Sequence, residues 1–190
     1  MSILIAVAKA DQVALASDSV HFFGTRREVT TNLIRQPKVR TLGRFLLGAA
    51  GASIYDTLLD RYLVEIGDPP DLSSEVAILG FFVDFWKFIR SDLHFVDDQP
   101  ATDEHSQFAR LEAHFLIASR DSIFTVDSDF TVMRFRKWCG IGSGVRYAFG
   151  AIHALYDRDI SARDIAHAAV AAAIDFDESC GGEIEVITPP

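Results

Sequence analysis

Two short apolar runs separated by a polar turn lie in the first residues of the chain. Residues 3–8 and 13–16 are entirely apolar, and Ala10-Asp11-Gln12 falls between them. Short apolar runs bounded by polar turn residues are typical of buried strands. The pattern therefore predicts a hairpin that ends at Ser17-Asp18-Ser19.

A second hairpin is predicted beyond a polar stretch rich in Arg and Thr. Lys38-Val39-Arg40-Thr41-Leu42 is followed by a Gly43-Arg44 turn and by the largely apolar residues 45–51. Two extended runs joined by a short turn that contains glycine favour an antiparallel pair.

Two helices are predicted in the next part of the chain. Apolar residues recur every fourth position from Ile54 to Ile66, and Gly67-Asp68-Pro69-Pro70 then ends the pattern, as expected of an amphipathic helix. Residues 73–96 are long and rich in aromatic side chains, which favours a helix that packs on both sides over a strand. A polar loop over about residues 97–106 follows.

The second half of the chain first predicts strands and then helices. Residues 112–141 alternate, with turn signals at Arg120-Asp121 and Asp127-Ser128-Asp129. Helical spacing returns over residues 143–156. Ser161, with Asp164 three residues later, is a helix start signal for an alanine-rich segment that runs to about residue 174.

Residues 183–187 alternate as a final strand. Strands and helices grouped in this way favour a layered α+β fold over a doubly wound sheet. Two sheets sandwiched between helix pairs would bury both sheets, and we expect one domain over residues 1–190.

Composition narrows the classes of protein to consider. The chain has 190 residues, of which 49% are hydrophobic, enough for a sizeable core. No apolar run reaches the roughly 18 to 20 residues of a membrane span, and no signal peptide pattern is present. We therefore expect no membrane partner and no secretion.

Charge and cysteine content point to a cytoplasmic protein without nucleic acid as a partner. The formal net charge of −9 would repel phosphate backbones. The two cysteines, Cys139 and Cys180, are far apart in sequence, which suits a reducing compartment. The six histidines show no metal-ligand spacing, so no metal or other cofactor is expected.

Several short motifs occur in a defined order along the chain. It opens with Ser2-Ile3-Leu4-Ile5-Ala6-Val7, and Ala16-Ser17-Asp18 follows. The later motifs are Lys38-Val39-Arg40, Gly48-Ala49-Ala50-Gly51, Gly140-Ile141-Gly142-Ser143-Gly144, the helix start at Ser161, and Asp177-Glu178-Ser179-Cys180-Gly181-Gly182. In this order they resemble the proteasome β-subunit superfamily, including its HslV-type peptidases, with the first motif similar to the mature N-terminus of these subunits and Asp18 at the family's spacing after it. The resemblance covers most of the chain apart from roughly residues 69–111. The fold it implies is the four-layer αββα sandwich of N-terminal-nucleophile hydrolases.

The resemblance implies a peptidase whose nucleophile is the hydroxyl of Ser2, exposed by removal of Met1. Asp18 and Lys38 would form a pair beside it, and the backbone at Gly51 would face the oxyanion. Ser143, and Asp177 with Cys180, would orient the α-amino group. The chain departs from the family in three ways: Ser2 replaces the usual threonine, Lys38 lies a few residues further along, and Cys180 stands where serine is usual.

Four of these residues also have a plain structural interpretation. Ser2 permits removal of the initiator methionine, Asp18 is a common strand-end residue, and Ser143 between two glycines suits a helix N-cap. Cys180 has no basic neighbour in sequence and reads as a small packed residue rather than a reactive thiol.

Three functions remain open from the sequence. The first is a self-compartmentalising endopeptidase subunit in a homo-oligomeric ring or double ring, acting on peptides or unfolded proteins. The resemblance also allows an unfoldase ATPase ring as its partner. The second is a non-catalytic ring subunit, since a retained Met1 would leave no free Ser2 amine, and the third is an amidase of small molecules.

Overall fold

Two β-sheets form the centre of the molecule. The computed structural model describes residues 2–23, 26–29, 38–93 and 110–190. One sheet has the strand order β10-β1-β2-β11 and the other β5-β6-β7-β8-β9, while β3 and β4 form a separate pair. The strands are β1 (Ile3–Lys9), β2 (Gln12–Ser17), β3 (Val20–Phe23), β4 (Arg26–Val29), β5 (Val39–Leu42), β6 (Phe45–Gly51), β7 (Ala113–Ala118), β8 (Ile123–Val126), β9 (Val132–Phe135), β10 (Trp138–Gly142) and β11 (Glu185–Ile187).

Helix pairs cover the outer faces of both sheets. The helices are α1 (Ile54–Ile66), α2 (Glu75–Lys87), α3 (Val145–Leu155) and α4 (Ala162–Phe176). Aromatic residues of α1 and α2 pack on the five-stranded sheet, where the Phe82 and Phe115 rings lie 4.4 Å apart between centroids. Small residues of α4 pack on the four-stranded sheet. This is the layered α+β sandwich that the sequence predicts.

A third apolar layer lies between the two sheets. Leu4 and Leu15 point into it from the four-stranded sheet, and Leu46 and Leu116 meet them from the other. All four side chains are buried. The first strand therefore has both faces buried, which explains why its sequence is continuously apolar rather than alternating.

Local signals in the sequence fix the starts of α2 and α4. The Ser74 hydroxyl accepts a hydrogen bond from the Ala77 backbone N–H at 3.2 Å. The Ser161 hydroxyl accepts one from the Asp164 N–H at 3.1 Å, as the predicted capping signal requires. No helix among the described residues is long and apolar enough to cross a membrane.

Three details differ from the expectations. The polar stretch after residue 19 contains the β3–β4 pair, in which Val20 lies opposite Val29; the arginines of β4 hide this pairing in the sequence. Beyond α2 the chain continues as a π-helical turn, Phe88–Asp92. Helix α4 runs two residues further than predicted. The expected loop over residues 97–106 lies outside the described residues.

Candidate active site

The antiparallel register of β1 gathers several chain segments around Ser2. Ile3 pairs with Gly142 on β10, and Leu4 pairs with Ser17 on β2. The residues that follow those partners, Ser143 and Asp18, therefore lie beside the start of β1. Ser2 itself is half-buried.

Glycine at position 142 permits this close approach. Its φ is +104°, and a Cβ atom there would lie 1.9 Å from the Ser2 carbonyl oxygen. No other residue type fits that space without moving one of the two backbones.

The Asp18 carboxylate ties three segments together. Its Oδ1 accepts hydrogen bonds from Lys38 Nζ at 2.6 Å and from the Ile3 N–H at 3.1 Å. Its Oδ2 accepts one from the Gly181 N–H at 3.0 Å. The side chain is fully buried. These bonds satisfy the charge inside the protein, so the carboxylate holds Lys38 and the start of β1 in fixed positions.

Lys38 links Asp18 to Ser2. Its Nζ donates a hydrogen bond to Ser2 Oγ at 2.9 Å, and the residue is only 5% exposed. Burial lowers the pKa of Lys38 below its ordinary value, although the charge of Asp18 and the hydrogen bond to it act in the opposite direction. The ammonium group is thus a positive charge directed at the Ser2 hydroxyl, in surroundings that make proton release easier than in water.

Gly51 and Ser143 line a cleft of about 540 Å³ that opens at Ser2. A Cβ atom at Gly51 would lie 2.4 Å from the Glu112 carbonyl oxygen, so β6 and β7 close tightly at this point. The Ser143 hydroxyl oxygen is buried and has no hydrogen-bond partner among the described residues. It lies near the Cys180 thiol and opposes the rise in that thiol's pKa that burial causes, although the contact does not meet the criteria of a hydrogen bond.

Cys180 is a buried packing residue next to this site. It is 2% exposed, and a Cβ atom at Gly144 would lie 2.8 Å from its Sγ. Burial, with the nearby charges of Asp18 and Asp177, raises the pKa of Cys180 to about 11. A thiol with that pKa is protonated at neutral pH and is a poor nucleophile.

Asp177 shapes a turn, and its carboxylate makes its hydrogen bond within that turn. Its Oδ1 accepts a hydrogen bond from the Ser179 N–H at 2.8 Å, and its carbonyl accepts one from the Cys180 N–H at 2.9 Å. Among the described residues it makes no hydrogen bond to Ser2 or Lys38. The turn instead presents the Gly181 N–H to Asp18.

A second polar network, absent from the sequence-based prediction, includes a residue of a small pocket that Ser2 also lines. Arg40 Nη1 donates to Asp56 Oδ1 at 3.1 Å, Nη2 donates to the Asp56 carbonyl at 3.0 Å, and Nε donates to Asp60. Burial raises the pKa of Asp56, while Arg40 opposes the rise. A small pocket of about 10 Å³ joins Ser2, Lys38, His21 and Asp56. Lys38 and Arg40 are two residues apart on an extended segment, so their side chains share a face. This spacing was the sequence signal that could have pointed to Arg40 as a neighbour of the site.

The geometry brings together Ser2, Asp18, Lys38, Gly51 and Ser143, with Cys180 packed behind them. A hydroxyl, a buried ammonium group and a cleft beside glycine backbone form the arrangement expected for nucleophilic attack on a carbonyl. Among the described residues no group of three or more His, Cys, Asp or Glu is arranged to hold a metal ion.

Comparison with known proteins found similar sequences and similar folds. No family model matches the chain. The ATP-dependent protease subunit HslV of Caulobacter sp. (strain K31) is 32% identical over 158 residues, covering 78% of this chain and 75% of the relative. The same subunit of Caulobacter vibrioides is 32% identical over 158 residues, covering 78% and 74%.

Two solved structures share the fold over nearly the whole chain. Thiobacillus denitrificans BPH in complex with epoxomicin has a TM-score of 0.87 at 24% identity, covering 98% of this chain and 97% of that one. Eukaryotic HslV from Trypanosoma brucei has a TM-score of 0.70 at 22% identity, covering 98% of both chains.

Proposed function

Because this chain belongs to the HslV family of proteasome-like peptidase subunits, we propose that it hydrolyses peptide bonds through an acyl-enzyme formed on the hydroxyl of Ser2. Loss of Met1 leaves Ser2 with a free α-amino group. That amine takes the hydroxyl proton through a bridging water, so one residue provides both nucleophile and base. The contact of Lys38 with Ser2 is the single observation that carries this proposal.

The attack step uses the charges around Ser2. Oγ bonds to the carbonyl carbon of the substrate, and the resulting oxyanion faces the backbone N–H groups at Gly51. The Lys38 ammonium, 2.9 Å from Oγ, stabilises the oxygen as it loses its proton. As a like charge, it also disfavours protonation of the α-amine and so keeps that base available near neutral pH.

The intermediate then releases the first product. The carbon–nitrogen bond breaks, the α-ammonium group returns its proton to the leaving nitrogen, and the acyl group stays on Oγ as an ester. Water hydrolyses that ester by the same route and regenerates Ser2. Ser143, whose buried hydroxyl has no partner among the described residues, would orient the amine for both transfers.

Serine in place of threonine changes the positioning of the nucleophile and leaves its chemistry intact. The methyl group of threonine restricts χ1, whereas serine has only its surroundings to hold the hydroxyl. In this chain the Lys38 hydrogen bond supplies that restraint.

The assembly follows from the same family assignment. We propose that the subunits form a closed ring that admits unfolded chains, because the relatives are subunits of an ATP-dependent protease. That name also supports an ATPase ring as the partner.

Neither Cys139 nor Cys180 forms a disulfide, which supports a cytoplasmic location.

Replacement of the nucleophile tests the proposal. Ser2→Ala should abolish hydrolysis of unfolded protein and peptide substrates without changing the mass of the assembly, and Ser2→Thr should retain it. Full activity in the Ser2→Ala protein would refute the mechanism. Turnover of small amides but not peptides would favour an amidase.

A further inference from the structure

Ser2 stands between two openings of very different size. The smaller, of about 10 Å³, includes Lys38 and Asp56, and the larger, of about 540 Å³, includes Ser143. A peptide with its scissile carbonyl over Ser2 Oγ must send the residues on the two sides of that bond in opposite directions. One side of the substrate therefore enters the large cleft.

The path of the proton determines which side this is. In the proposed reaction, the leaving nitrogen receives its proton from the Ser2 α-amine, so it must depart on the side where that amine is held. Lys38 occupies the side of the small pocket, where it already donates to Ser2 Oγ. The Ser143 hydroxyl, on the wall of the large cleft, is buried without a hydrogen-bond partner among the described residues, so in the proposed reaction it is the group that holds the amine. The leaving side of the substrate thus lies in the large cleft.

The walls of this cleft are mainly apolar. Its volume falls in the range of about 300–1,000 Å³ that is usual for ligand pockets. No Lys or Arg is among its described lining residues. The large apolar side chains that line it are Val126, Met133, Phe135, Ile141, Val145 and Phe149.

Two ionisable side chains of the cleft lie against each other. His114 Nδ1 lies 3.0 Å from Asp127 Oδ1, which also accepts a hydrogen bond from the Ser128 N–H at 2.6 Å. Both side chains are about half exposed. An acidic substrate side chain would meet the Asp127 carboxylate here and find no lysine or arginine among the described lining residues.

We propose that this cleft binds the residue on the C-terminal side of the scissile bond and selects a large apolar side chain there, rejecting acidic ones. The inference rests on the proposed acyl-enzyme at Ser2 and adds a substrate class to it. It assigns Met133 and Phe149 as specificity-determining residues for the leaving side.

Acyl transfer to added amino acid amides measures this selectivity directly. An acceptor that binds in the cleft attacks the acyl carbon through its amino nitrogen, the ester bond to Ser2 Oγ breaks, and the acceptor's proton passes to the Ser2 α-amine and on to Oγ. The protein would be acylated with a short peptide ester in the presence of Leu, Phe, Gly or Asp amide at equal concentrations. Mass spectrometry would then quantify the transfer product against the hydrolysis product.

We expect transfer to Leu and Phe amides to exceed transfer to Gly amide roughly tenfold, from burial of one apolar side chain. Asp amide should fall below Gly amide. Met133→Ala and Phe149→Ala should reduce the Leu to Gly ratio toward one. Leu79→Ala is the control, because Leu79 lies in the opposite helix layer and is 42% exposed, close to the 44% of Met133 and the 37% of Phe149. This variant should keep the wild-type ratio.

The outcomes separate this inference from the proposed function. An acyl-enzyme that forms and turns over but transfers equally to all four amides would overturn the inference and leave the proposed function in place. So would a strong preference that survives in both cleft variants. Absence of any acyl group on Ser2 would overturn both. The wild-type acceptor series decides the matter even if a variant fails to fold.

Discussion

Replacing Asp18 by asparagine should destabilise the protein in a pH-dependent way. The change removes the charge that faces a buried ammonium group, while the amide oxygen can still accept from the backbone at Ile3 or Gly181. Breaking a buried ion pair by removing one partner costs roughly 3–5 kcal/mol. Since asparagine keeps part of the hydrogen bonding, we expect the lower end, about 3 kcal/mol of unfolding free energy at pH 7.

The pH dependence follows from Lys38. Burial already lowers its pKa, and Asp18 is the main influence that raises it, so the variant should lower this pKa further. A lysine whose pKa is depressed in the folded state destabilises that state while it is charged. The cost is present at low pH and disappears as pH rises toward the ordinary lysine pKa of about 10.4. The difference between wild type and variant should therefore shrink from pH 7 to pH 10.

Urea unfolding at fixed protein concentration, followed at both pH values, measures this difference. The double variant Asp18→Asn/Lys38→Met is the matched control, because it removes the uncompensated charge along with the carboxylate. It should be more stable than Asp18→Asn alone at pH 7. A penalty that does not change with pH, or a double variant that is less stable than the single one, would refute the role given to Lys38.

Three further outcomes are expected. Lys38→Met should reduce peptide hydrolysis by roughly 100- to 1,000-fold in steady-state assays, since it removes a charge aimed at the reacting oxygen. The ring should still assemble. Activity within a few-fold of wild type would contradict this. Gly142→Ala should inactivate the protein, because the added Cβ would push β10 away from Ser2. The control is Gly80→Ala, where a Cβ meets open space; this variant should keep wild-type activity and gain up to about 1 kcal/mol of stability in thermal unfolding. Equal activity in both variants would show that the close approach at Gly142 is unnecessary. Iodoacetamide at pH 7.5 should leave Cys180 unmodified and activity intact, because burial raises the pKa of its thiol to about 11, and rapid labelling at that pH would show that the thiol is reactive.

The strands and helices could be predicted well wherever the buried faces of an element produce a regular pattern of apolar residues in the sequence. The continuous apolar run of β1 and the four-residue spacing of α1 each reflect which faces are covered, so both were found from sequence. The β3–β4 pair was missed because it is short, and its arginines do not alternate with apolar residues in the usual way.

The residues of the site could be predicted only in part from the sequence. The family resemblance indicated Asp18 and Lys38, and the 2.6 Å between Lys38 Nζ and Asp18 Oδ1 agrees with the predicted pairing. The Arg40–Asp56 network was missed, because the spacing of Lys38 and Arg40 does not identify the acidic partners, which lie on α1 and meet Arg40 only in the folded chain. The predicted role of Asp177 in orienting the amine was not matched by a contact, because its carboxylate accepts a hydrogen bond from Ser179 within the turn at residues 177–180.

The most direct test of the central claim is the intact mass of the purified protein before and after treatment with a small electrophile that bridges an N-terminal amine and its hydroxyl. We predict a mass lacking Met1, one adduct per chain after treatment, and fragment ions that locate the adduct on Ser2. A chain that retains Met1 and acquires no adduct would contradict the account and indicate a structural ring subunit.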